Sequence, residues 1–191
     1  MDEPQLIERS RHGDPGAYDQ IVGAYQDRIY SLAYRITGNR EDAWDAAQEA
    51  FLKAYRNLRT FRGNSAFSTW LHRIAVNAAL DIVRRRPHQP PVPFEMELSD
   101  PAADDPWERV VQRDVQQRIH RAIAGLPLEQ RTTIVLRELH GHSYEEIAAT
   151  LQIPLGTVRS RISRARETLR DALADLAPAA GRRQSDEGRM G

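Results

Sequence analysis

Between Pro87 and Glu108 this 191-residue chain carries six of its eleven prolines and six acids, with no lysine or arginine. Proline removes backbone donors and stiffens the chain, and clustered acids stay solvated, so this stretch cannot pack a core. It divides the chain into pieces that must each bury their own apolar residues. The expected organisation is a first domain over 1–88, a linker over 89–109 and a second domain over 110–177. A small, polar tail over 178–191 is left outside the fold. On both sides of the linker apolar residues recur at helical spacing, and no strand pattern appears. The fold class read from the sequence is all-α, two small helical domains joined by a proline-rich acidic linker, the second ending in a helix-turn-helix.

In the first domain Tyr18, Ile21, Tyr25, Ile29, Leu32 and Ile36 form one apolar face. Gly38 stops that helix in the position glycine favours, and Asn39 caps the next. That next helix, Arg40 to Leu58, has two apolar stripes. Ala43, Ala47, Ala50, Phe51, Ala54 and Leu58 are the expected core face. Trp44, Leu52 and Tyr55, with Gln48 between them, lie about a quarter-turn away. A second stripe is either buried within the domain or docked on a partner. From Ser68 a further helix follows, with Leu71, Ile74, Ala75, Ala78 and Ile82 inward and Arg73, Asn77, Leu80 and Arg84 on a neighbouring, mostly polar face. Arg59 to Arg86 holds six arginines against one acid, Asp81, and Phe61, Phe67 and Trp70 gather at its irregular end. Cationic groups bind phosphate, and aromatic or small polar groups can receive unstacked bases. For Trp70 core packing is the preferred reading.

In the second domain Ser143 and Glu146 have capping-box spacing. Ile147, Ala148 and Leu151 face inward, Gln152 to Pro154 turn the chain, and Val158, Ile162, Ala165 and Leu169 form the next buried face. This is the pattern of a helix-turn-helix. Ser160, Ser163 and Arg164 lie opposite that face, with Arg159 near the N-terminus, where side chains reach base edges in a major groove.

Other chemistry finds little support. There is no cysteine, so disulfides and thiol catalysis are excluded. His140-Gly-His142 is too short and isolated to argue a metal site, and neither a phosphate-cradling glycine loop nor a nucleophile beside a base is visible. No cofactor and no enzymatic activity are expected. Formal net charge is zero, so nucleic-acid binding has to come from local patches. The charged N-terminus and the lack of a long apolar run predict a cytoplasmic protein with no membrane insertion of its own.

Two long segments carry a resemblance. FRGNSAFSTWLHRIAVNAALDIVRRR resembles the promoter-melting part of bacterial sigma factors of the extracytoplasmic-function group, and EDAWDAAQEAFLKAYRNL resembles the segment that grips the clamp helices of RNA polymerase. SYEEIAATLQIPLGTVRSRISRAR, with LPLEQR upstream, is similar to the domain of the same group that reads the minus-thirty-five element. The resemblance covers residues 10 to 176. It implies minus-ten contacts by Asn64, Ser65, Ala66 and Phe67 in a base-capturing loop and by Arg73, Asn77 and Arg84 on the following helix. It implies polymerase contacts by Asp45, Gln48, Glu49 and Leu52, and minus-thirty-five contacts by Thr157, Arg159, Ser160, Ser163 and Arg164. Trp44, Gln152 and Ser163 depart from the family pattern, which has a smaller aliphatic residue, glycine and often a bulkier side chain there. The implied partners are core RNA polymerase, promoter DNA and an anti-sigma factor, and the implied role is initiation at a stress or envelope regulon. The alternative, a stand-alone helix-turn-helix regulator, leaves Arg40 to Arg86 unexplained.

Overall fold

The structure, a computed structural model, describes residues 2–63, 65–86 and 106–176, with side chains in the first helix after the gap from Asp114 onward. The expected linker up to residue 105, the expected tail over 178–191, the residues flanking them at 87, 88 and 177, and Asn64 lie outside the described residues. Every regular element among the described residues is helical.

Helix α1 (Glu3–Arg11) leads into α2 (Pro15–Thr37), whose start is fixed by Asp14: its Oδ1 accepts from the Ala17 N–H at 3.1 Å. Gly38 ends α2 at φ 83°, a left-handed conformation that suits glycine. Asn39 then caps α3 (Arg40–Asn57), its Oδ1 accepting from Asp42 N–H at 2.8 Å. A short 3-10 turn (Leu58–Thr60) and the loop after it lead to α4 (Phe67–Arg85). Ile29, Leu32, Leu71 and Val76 are fully buried where α2, α3 and α4 pack together. Each such side chain contributes ~1.5–3 kcal/mol of transfer free energy.

Helix α5 (Pro106–Ala124) begins four residues inside the expected linker. Proline opens it at no loss, because the first amides of a helix have no partner in the helix. Then come α6 (Leu128–Ile134), a wide π turn (Val135–Leu139), α7 (Tyr144–Leu151) and α8 (Leu155–Ala172). Val135, Leu136, Ile147, Val158 and Ile162 fill the space between them.

The two helical groups also touch. α2 lies against α5 and α6, α4 lies against α7, and the buried apolar residues of both groups form one continuous cluster.

Candidate nucleic-acid interface

Helix α8 buries Val158, Ile162 and Ala165 and turns Arg159, Ser160, Ser163 and Arg164 to solvent. Thr157 is half-buried beneath them, its N–H bonded to Pro154 O at 2.9 Å. Arg166 is held away from this face by Glu138, at 2.6 Å. The start of α7 has the capping box its sequence predicts: Glu146 N–H donates to Ser143 Oγ at 3.1 Å, and Ser143 N–H donates to Glu146 Oε2 at 2.8 Å. Gln152 closes α7 at φ 54°, ψ 46°, the single non-glycine residue at positive φ among the described residues. Leaving out glycine at that turn costs of order 1 kcal/mol and keeps the left-handed geometry.

At the other end of the chain, Gly63 turns the loop at φ 72°, and Ser65 and Ala66 stand exposed before α4. Phe67 differs from its expected place. It is the first residue of α4, 3 % exposed, with ring centroids 5.5 Å from Phe61, 5.5 Å from Trp70 and 5.6 Å from Tyr25. It anchors the loop and does not offer its ring to solvent. Trp70 is core, as its size argues. Arg73, Asn77 and Arg84 are exposed along α4, whereas Leu80 is buried, because α4 is covered on more than one side. Arg86 is committed elsewhere, with its guanidinium 2.5 Å from the buried Asp42 carboxylate and 3.8 Å from Asp45.

The second stripe of α3 is open. Trp44, Leu52 and Tyr55 are 57 %, 56 % and 45 % exposed, which rules out burial within the domain. They rim an apolar groove floored by Tyr18, Val22 and Phe51, with the Tyr18 hydroxyl donating to Phe51 O at 2.6 Å. Tyr55 packs on Tyr18 and Trp44 on Tyr30. Asp45, Gln48 and Glu49 stand exposed beside the groove. Lys53, 3.0 Å from Glu49, holds that carboxyl below the usual range.

One cluster has no counterpart in the sequence reading. Where α4 meets the second helical group, His72 Nδ1 and His142 Nε2 share a hydrogen bond of 2.8 Å, and His140 sits edge-on to His72. Thr69 Oγ1 donates to Glu146 Oε1 at 3.1 Å, and His120 stacks on Tyr34. Burial pushes His72 down to about 3, and His120 and His140 each to about 4, with neighbouring cations and rings adding to it. His142 is also lowered by burial, opposed by Glu146. Periodicity carries no signal for such a contact, because it joins residues seventy positions apart.

Comparison with known proteins adds a second line of observation. The sequence profile of Sigma-70 region 2 matches residues 21–88, and that of Sigma-70, region 4 matches residues 116–169. The RNA polymerase sigma-H factor of Pseudomonas aeruginosa is 42 % identical over 183 residues, spanning 91 % of this chain and 95 % of the relative. The ECF RNA polymerase sigma-E factor of Escherichia coli K12 is 42 % identical over 180 residues, spanning 90 % and 94 %. Among solved structures, CnrH in complex with the cytosolic domain of CnrY superposes with a TM-score of 0.62 at 26 % identity, over 91 % of this chain and 97 % of CnrH. The sigma factor RpoE of Bartonella quintana, solved with the anti-sigma factor NepR, shares the fold at a TM-score of 0.68, 24 % identity, and 82 % and 96 % coverage.

Proposed function

We propose that this chain, which belongs to the extracytoplasmic-function group of the sigma-70 factors, docks on core RNA polymerase in the cytoplasm through α3 and reads promoters with both of its helical groups. As a sigma factor it directs transcription. The finer assignment divides that task. Asp45, Gln48, Glu49 and Leu52 meet the polymerase clamp. Asn64, Ser65 and Ala66 receive a base flipped from the minus-ten element, and Arg73, Asn77 and Arg84 follow the phosphates. Thr157, Arg159, Ser160, Ser163 and Arg164 read the minus-thirty-five element. Phe67 supports the loop from below.

The observation that carries this reading is the open apolar stripe of α3. Two aromatics and a leucine about half exposed on one helix face are a docking surface, because a chain that acted alone would bury or replace them. A stand-alone regulator needs only the exposed side chains of α8. The exposed Ser65, Ala66, Arg73 and Asn77 support a second DNA contact on the first helical group. The likeness to CnrH, whose solved form is a complex with the cytosolic domain of CnrY, supports a bound protein partner here, and the proposed one is an anti-sigma factor. A stress or envelope regulon is the role that the resemblance of the two segments implies.

Reading and melting are separable by experiment. Arg159→Ala lowers holoenzyme occupancy of the promoter, losing ~1–3 kcal/mol if its contact is bidentate. Asn64→Ala keeps closed-complex occupancy and reduces permanganate-reactive thymines, because base capture offsets an unstacking cost of a few kcal/mol. Parallel loss of occupancy and opening in both variants removes the loop's separate role.

A further inference from the structure

Four of the chain's six histidines lie where its two helical groups touch: His72, His140 and His142 in mutual contact, and His120 against Tyr34. His72 comes from α4, His120 from α5, and His140 and His142 from the loop between the π turn and α7. His72 Nε2 and His142 Nδ1 are buried with no hydrogen-bond partner. Glu146 Oε2 stands 3.9 Å from His142 Nδ1, so the lack of a nearby acceptor for an added proton is a property of His72 Nε2. The surroundings are cationic. Arg28 and Arg35 of α2 and Arg131 of α6 act on these rings, and the Arg137 guanidinium donates to His142 O at 2.9 Å. Tyr34 of α2 stacks on His120 and is neutral. Among the described residues Glu146 is the one acid found to act on the cluster, and both of its oxygens are engaged, Oε1 by Thr69 and Oε2 by the Ser143 amide. Among the described residues no three His, Asp or Glu side chains are arranged to hold a metal ion.

We propose that this seam is a proton-operated latch: with neutral histidines the two helical groups stay docked, and protonation of the seam parts them. A charge placed on His72 is buried, faces His140, His142 and Arg28, and among the described residues has only the already bonded Glu146 in opposition. Parting the groups hydrates the rings and relieves that repulsion. The sign follows from the direction of the shifts. The seam histidines are depressed when docked, so docking is fully favoured above the open-state value of ~6.5 and weakens as pH falls below it. Each fully depressed histidine multiplies the open-to-docked ratio by about tenfold between pH 7.5 and 5.5. His72, His120 and His140 together give up to about a thousandfold. Glu146 limits the share of His142.

What parting does for transcription rests on the proposed function. Elements centred near minus ten and minus thirty-five lie roughly 80 Å apart on B-form DNA, whereas a compact chain of this length is only about 45 Å across. The docked form therefore cannot engage both, and the latch sets how much of the free chain is ready to.

The test needs no DNA or polymerase, so it fails or succeeds independently of that reading. The chain has no cysteine, so Gln20→Cys and Glu167→Cys, both at exposed positions, take a donor–acceptor pair at defined sites. Energy transfer should report parting between pH 7.5 and 5.5, with far-ultraviolet circular dichroism unchanged. His72→Gln, or separately His140→Gln, should lower the number of protons taken up on parting by about one, whichever variant folds better. Transfer that is the same at both pH values overturns the latch. So does parting that coincides with loss of helix, or a proton uptake that neither variant changes.

Discussion

Phe67 shows how one side chain can be tied to a function through its neighbours. It sits among Tyr25, Phe61 and Trp70, directly beneath the exposed Ser65 and Ala66. Phe67→Ala leaves a cavity in that cluster, and large-to-small changes of this kind cost ~3–5 kcal/mol. Its melting curve should therefore drop by many degrees, with promoter opening lost as a result of the looser loop. An unchanged melting curve with lost opening would return Phe67 to direct contact with DNA. Single residues were legible where the determinant is local. Gly38, Asn39 and the Ser143–Glu146 pair each act within one turn of backbone, and each is found as the spacing predicts. His72 was not legible, because its partner lies on a loop of the other group, seventy positions away. Likewise His140-Gly-His142 reads as an isolated pair until the fold brings His72 between them.

At the scale of elements, α3 is the helix whose two faces have different fates. Its alanine face is small enough for α2 and α4 to approach closely, and this leaves Trp44, Leu52 and Tyr55 outside. The sequence shows two stripes but not which is covered, since that depends on where neighbouring helices cross. Leu52→Glu separates stability from docking. The side chain is 56 % exposed, so folding should change by no more than ~0.5 kcal/mol. Loss of an apolar anchor at the centre of an interface costs about 2 kcal/mol or more, roughly a thirtyfold weaker affinity for core polymerase. Thermal melting beside a pull-down of core enzyme reads both. A variant that unfolds places the stripe in the core after all. Helix α5 illustrates the opposite limit: its start at Pro106 falls in a segment whose composition resists packing, because a first turn needs only backbone and a permitted φ.

At the scale of the whole molecule, the docked halves share one apolar cluster, and the seam couples their stabilities. Calorimetry at pH 7.5 should therefore give one cooperative transition. At pH 5.5, below the ordinary histidine value but well above the depressed values of His72, His120 and His140, docking is weakened and two transitions should separate. A single transition at both values would mean the halves unfold as one unit whatever the charge on the seam. Arg86, clasped to Asp42, fixes where the chain leaves the first half, and Pro106 marks where the second begins. About twenty residues join these points, with a contour of at most ~70 Å. The undocked chain is thus a ruler with a pinned origin. Each base pair added between two promoter elements moves the second away by 3.4 Å and turns it by roughly a tenth of a revolution. On the proposed reading of both elements, the pin at Arg86 sets where this tether begins, so changing it should bear on which spacings are tolerated and leave the grip on either element unchanged.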